Sequence, residues 1–227
     1  MRSPFTALVE GPTGSGKTRL VMRLIRKAKD VANPPLVEII YCYGVWQEGF
    51  HQIAEHVTFH EGLLDVRNDI PADGRNRWLV IDDLMQEASG NGDTDNIYTK
   101  FSHHKNVSVF FIVQNLFGKN LRTISLNTHY FFLFKNPRAS TTVSSLASQA
   151  FSGSVPVVME AYRDATSSPN SFLMMALTQE TDEACRLIGN YASDKDDMVV
   201  YVPKRVSNSP SLAWVLILRT NTSANKL

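Results

Sequence analysis

Gly11-Pro12-Thr13-Gly14-Ser15-Gly16-Lys17-Thr18 satisfies the pattern G-x-x-x-x-G-K-[ST], and it lies between a short apolar run and the start of a helical pattern. Glycines at this spacing let successive backbone N–H groups converge on phosphate oxygens. The start of the following helix adds the positive end of its dipole, and Lys17 brings a point charge to the β- and γ-phosphates. The Thr18 hydroxyl is then a ligand for Mg²⁺. A plain glycine-rich turn is the competing reading, and the flanking strand and helix patterns weigh against it.

Two further elements have the right chemistry to act with this loop. Leu79-Val80-Ile81 leads into Asp82 and Asp83. A strand that ends in a carboxylate delivers charge to the edge of an open α/β sheet where ligands bind. Asp82 is expected on the magnesium side, and Asp83 is placed to orient and deprotonate an attacking water. Without the loop, both acids would read as solvated turn residues. The run 109–113 is apolar and ends in Gln114 and Asn115. If that strand lies between the loop strand and the Asp82 strand, the Gln114 amide can donate and accept near the γ-phosphate and register its presence. Alone, a glutamine at a strand end is a weak signal.

The elements that must position these groups alternate along the chain. Residues 5–9, 36–43, 57–60, 78–81, 107–113 and 130–134 are short, rich in Val, Ile, Phe and Tyr, and mostly apolar on both faces, as strands covered by helices on both sides are. Residues 18–30 place Leu20, Leu24, Ile25 and Ala28 on one helical stripe. Weaker helical patterns cover 45–55, 95–101, 141–151 and 155–164, and 171–177 reads as a later strand. The expectation is an α/β fold with a mostly parallel open sheet. Residues 1–202 are taken as one domain and 203–227 as a C-terminal extension with a fraying end, in which 212–218 is a candidate strand that pairs with 199–202.

Composition narrows the classes. The chain has 227 residues with 23 Lys+Arg against 22 Asp+Glu, so no global charge commits it to nucleic acid, and such contact needs a local basic face. Its 2 cysteines, Cys42 and Cys185, fit reduced thiols in an intracellular compartment rather than a disulfide framework. Residues 212–218 fall far short of a bilayer span of roughly 20 residues, and no signal-peptide pattern opens the chain, so a soluble protein is expected.

Taken together, EGPTGSGKT, LVIDDL and FFIVQNLF, with SHHKN before the third of these runs and HYFFLFKNPRA after it, resemble the additional-strand phosphate-loop ATPases of the FtsK/HerA superfamily. Within it they resemble the poxvirus-type packaging ATPases of double-stranded DNA viruses and their relatives in Polinton-like and adintovirus-like elements. The resemblance covers about residues 5–180. It implies a RecA/FtsK-like P-loop NTPase sheet of order 5-1-4-3-2, a homo-oligomeric ring, and ATP-driven movement of double-stranded DNA into a capsid. ATP and Mg²⁺ are the implied cofactors. A capsid portal or vertex protein is an implied partner, and the host nucleus or a cytoplasmic virus factory the implied location. Carried over residue by residue, the loop Gly11, Pro12, Thr13, Gly14, Ser15 and Gly16 cradles phosphate with Lys17 and Thr18. Asp82 holds Mg²⁺, Asp83 is the catalytic acid and Gln114 the sensor. Many superfamily members have Asp followed by Glu, so Asp83 is a departure, one methylene shorter.

Such rings also use a cation from the neighbouring subunit, worth roughly 10³ to 10⁵ in rate in other NTPases. The matching segment here is Ser102-His103-His104-Lys105-Asn106, and Lys105 is its full cation. Lysine lacks arginine's planar fork, so Arg122 and Arg138 are alternatives. Two rival functions stay open: a phosphate-loop kinase, against which stands the lack of a compact Arg-rich lid, and a nucleotide-gated switch, against which stands the second carboxylate. Arg19, Arg23, Arg26, Lys27 and Lys29 read as a solvated helix face. Asp93-Thr94-Asp95 fails as a calcium loop because Tyr98 and His104 stand where Gly and Glu are needed. Tyr43, Trp46 and Phe50 read as core, and Cys42 as a buried apolar residue.

Overall fold

Strands form where the sequence is apolar on both faces, and the computed structural model buries the central ones, at 6–10, 77–82, 107–113, 130–134 and 172–176, at every position. It describes residues 1–84, 104–115, 121–138, 140–151, 154–194 and 197–202, with the backbone of 216–220. The helix read at 95–101, the Asp93-Thr94-Asp95 segment, His103, and most of 203–227 lie outside the described residues.

The chain divides into two compact units. The first comprises Met1–Glu10 and Lys17–His129. Its strands are β1 (Thr6–Glu10), β2 (Glu38–Tyr43), β3 (Thr58–Glu61), β4 (Arg77–Asp82) and β5 (Val107–Val113). They pair in parallel in the order β1-β5-β4-β2-β3. β1, β4 and β5 are buried at every position. Phe5, Trp78 and Phe110 meet edge to face with ring centroids 5.0–6.0 Å apart, which ties the three strands together.

Helix α1 (Lys17–Arg26) buries Leu20, Val21, Met22, Leu24 and Ile25, and Arg23 and Arg26 in its last turn complement the negative end of its dipole. The helical pattern expected over 18–30 breaks at Lys27, and a separate turn, α2 (Ala28–Val31), follows. The pattern expected at 45–55 is a 3-10 helix over Glu48–His56 that buries Phe50 and Ile53. A short α3 (Val66–Asp69) is capped by Asp65, whose side chain accepts from the Arg67 N–H. α4 (Leu121–Leu126) completes this unit.

The second unit comprises Gly11–Gly16 and Tyr130–Leu227. It holds β6 (Tyr130–Phe134), α5 (Ser140–Ala150), α6 (Val155–Ala165), β7 (Phe172–Ala176), β8 (Leu187–Gly189), β9 (Met198–Val202) and β10 (Leu216–Thr220). These strands pair antiparallel in the order β6-β7-β8-β9-β10. The expected parallel pairing therefore describes the first unit, and antiparallel pairing replaces it here, between β6 and β7 across the two intervening helices and then successively through β8 and β9. β10 starts four residues later and ends two residues later than the strand read at 212–218, and it extends the ladder from β9. The Tyr162 hydroxyl on α6 donates to the Phe134 carbonyl at 2.8 Å and accepts from the Asn136 N–H at 3.0 Å, which fixes the chain where it leaves β6.

Candidate functional site

Parallel register places the chemistry-bearing residues of the first unit at one end of its strands. Glu10 stands opposite Val113, Asp82 opposite Ile112, and Tyr43 opposite Asp82. β1, β4 and β5 thus finish level at their carboxyl ends. The next residue after β4 is Asp83, the next after β5 is Gln114, and the chain leaving β1 returns as α1 with Lys17 and Thr18. Gathering them needs no long side chain, because three strand tips already lie side by side.

Asp82 is 6% exposed and is held by two donors. The Tyr41 hydroxyl donates to its Oδ2 at 2.6 Å, and the Thr18 Oγ1 reaches the same oxygen at 3.4 Å. Burial raises the Asp82 carboxyl above the ordinary range. The Tyr41 hydrogen bond opposes that shift, the neighbouring charge of Asp83 adds to it, and Thr18 and Lys17 oppose it. Burial also lowers the Lys17 ammonium, while Asp83, Asp82 and Glu10 pull it back up. Lys17 is thus a half-buried cation within electrostatic reach of three acids.

Asp83 and Gln114 are exposed and touch each other: the Gln114 Nε2 donates to Asp83 Oδ2 at 2.9 Å. Asp83 has a left-handed backbone, φ +57°. Aspartate tolerates this region better than most residues, and the turn aims its side chain off the end of β4 instead of into the sheet.

The loop that joins β1 to α1 shows why its glycines are needed. A Cβ on Gly11 would stand 2.7 Å from the Cβ of Phe134 and 2.6 Å from the Ser15 hydroxyl. At Gly16 the backbone has φ +102°, and a Cβ would meet the Asn170 side-chain oxygen at 2.9 Å. Both positions exclude any larger residue. Pro12 accepts from the Ser15 N–H at 3.2 Å, closing the turn between Thr13 and Gly14.

Lys105 is placed otherwise than the sequence reading expected. It is 8% exposed, and its ammonium donates to the carbonyls of Val66, Arg67 and Ile70 at 2.9, 2.8 and 2.6 Å. Those carbonyls belong to the last turn of α3 and its exit, so the lysine satisfies acceptors that the short helix leaves open. The ammonium is therefore engaged by three carbonyl acceptors of its own chain. Arg138 is exposed, and the Arg122 side chain lies outside the described residues. Arg19, Arg26 and Lys29 are exposed. Tyr43, Trp46, Phe50 and Phe59 form an aromatic cluster, in which Trp46 is 45% exposed rather than core. Tyr41 is the site residue that the sequence did not reveal, because its position against Asp82 follows from the β2–β4 register, which no local pattern encodes.

The donor set suits magnesium. Thr18 and Asp82 present hard oxygens to each other, and Mg²⁺ in nucleotide sites takes one or two protein oxygens alongside phosphates and water. Among the described residues no group of three or more His, Cys, Asp or Glu side chains could hold a metal by itself. Such an ion would supply charge neutralisation at the β- and γ-phosphates.

No protein-family model matches the chain, and no curated protein does. Solved structures do. The DNA-packaging ATPase B204 from Sulfolobus Turreted Icosahedral Virus aligns at TM-score 0.53 and 12% identity over 80% of this chain and 96% of that one. The genome packaging NTPase B204 from Sulfolobus turreted icosahedral virus 2, in complex with AMPPCP, aligns at 0.51 and 12% over 78% and 94%. The chain has the fold of these packaging ATPases. The cytoplasmic domain of the Thermomonospora curvata Type VII secretion ATPase EccC shares it at TM-score 0.50 and 15% identity, over 80% of this chain and 26% of that one. The B204 fold therefore spans most of both chains, although few residues are identical. Among the described residues no helix is long and apolar enough to cross a membrane.

Proposed function

We propose that this chain is a Mg²⁺-dependent ATPase of the FtsK/HerA superfamily that moves double-stranded DNA into a viral capsid as a homo-oligomeric ring. The observation that carries the reading is the meeting of Lys17, Thr18, Asp82, Asp83 and Gln114 at the carboxyl ends of β1, β4 and β5. In this reading Gly11–Gly16 and Lys17 hold the triphosphate, Thr18 and Asp82 hold the ion, Asp83 takes a proton from the attacking water, and Gln114 senses the γ-phosphate. The likeness to packaging ATPases, one of them bound to AMPPCP, supports the nucleotide and the DNA. The run β1-β5-β4-β2 supports four places of a 5-1-4-3-2 order. Residues 1–202 form the ATPase domain in this proposal, and 203–227 extend it. The burial of Lys105 favours Arg138 or Arg122 as the trans cation, and a portal or vertex protein is the proposed docking partner.

Purified protein assayed with duplex DNA should hydrolyse ATP, and Lys17→Ala should abolish hydrolysis. Phosphate passed to a nucleotide acceptor in preference to water would replace the motor with a kinase. Hydrolysis with no directed DNA movement in single-molecule tracking would leave only a switch.

A further inference from the structure

Tyr41 stands on β2 two residues before Tyr43, the residue opposite Asp82, so its side chain leaves the sheet on the Asp82 face. The residue is 0% exposed. Its ring is clamped by Phe50 and Phe59, with centroids 4.9 and 5.7 Å away, so the hydroxyl has one direction in which to point. It points at Asp82 Oδ2, 2.6 Å away, within the short range of hydrogen bonds to an ionised oxygen. Packing alone would be served by phenylalanine. A buried phenol is retained at a cost unless its hydroxyl has a partner, and here the partner is the acid read as a magnesium ligand.

We propose that Tyr41 is a positioning residue for the divalent-cation site: its hydroxyl fixes the rotation of the Asp82 carboxylate, so the carboxylate meets the ion in one orientation beside Thr18. This rests on the reading of Thr18 and Asp82 as magnesium ligands. Oriented partners of ligating groups typically matter by about 10- to 100-fold in metal affinity. Tyr41→Phe removes one oxygen and keeps the ring contacts, so the aromatic cluster stays packed. Tyr43→Phe is the matched control, a phenol of the same cluster that does not hydrogen-bond Asp82.

The test is a Mg²⁺ titration of the full chain followed by a fluorescent non-hydrolysable ATP analogue, with binding in EDTA as the metal-free reference. For Tyr41→Phe the half-saturating Mg²⁺ should rise by about 10-fold or more, with analogue affinity in EDTA unchanged and turnover restored at saturating Mg²⁺. Tyr43→Phe should titrate like the wild type. An unchanged Mg²⁺ midpoint in Tyr41→Phe, or an equal shift in Tyr43→Phe, would overturn the proposal and leave the metal site standing. Wild-type protein whose analogue binding ignores Mg²⁺ would remove the metal site itself, and the proposal with it.

Discussion

The Gln114 amide donates to Asp83 Oδ2 at 2.9 Å, linking the first residues beyond β5 and β4. The acid that would activate water is thus held by the group that would sense the phosphate. Removing the carboxylate while keeping the shape, as in Asp83→Asn, should leave nucleotide affinity near wild type and slow hydrolysis by roughly 10² to 10⁴. Asparagine accepts the left-handed backbone at this position as readily as aspartate, so the fold is not at risk. Single-turnover phosphate release measures the effect, and a wild-type rate would remove Asp83 from the chemistry.

Lys105 separates structural from catalytic use of a cation. Truncation to alanine leaves the carbonyls of Val66, Arg67 and Ile70 without this donor, and the Val66 and Ile70 bonds are buried. A lost buried partner costs about 1–3 kcal/mol, so Lys105→Ala should lower the thermal midpoint by several degrees, roughly 4 °C or less for each kcal/mol in a chain of this size. A trans-acting cation would behave differently: stability would be retained, and wild-type subunits doped with the variant would lose activity out of proportion.

These two sites mark what local pattern reaches and where it stops. The strands at 107–113 and 130–134 were readable to the residue, because buried parallel or central strands are apolar on both faces. Lys17, Thr18, Asp82 and Gln114 were readable because each stands at a strand end or helix start, where spacing along the chain implies position. Tyr41 and Lys105 were not. Both act through partners 35 to 41 residues away, and only strand register and the path of α3 bring those partners close. The antiparallel second unit escaped for a related reason: β8 is three residues long, too short to show a period.

The thiols should report the packing of β2. Cys42 is buried, and burial pushes its thiol up to about 11, whereas Cys185 is exposed. At pH 8 the Cys42 thiolate fraction is then on the order of one in a thousand, and its access is blocked as well. A colorimetric thiol reagent should titrate one cysteine quickly in native protein and the second only as the protein unfolds. Fast reaction of both would mean that β2 opens readily.

Arg77 sets an acid limit on stability. Its guanidinium is 6% exposed as a side chain and binds Asp73 at 2.6 and 2.9 Å and Glu38 at 3.1 Å. The two-point hydrogen bond from Arg77 holds the Asp73 carboxyl well below the usual carboxylate range, helped by the Arg75 N–H. A carboxyl whose folded value is depressed contributes its stability in full above its unfolded value, near pH ~4, and loses it as pH falls toward the folded value. Thermal midpoints of wild type and Asp73→Asn should therefore differ by a constant amount from pH ~5 to 7 and converge below pH ~4. A gap that stays constant into acid would show that Asp73 contributes shape and not charge.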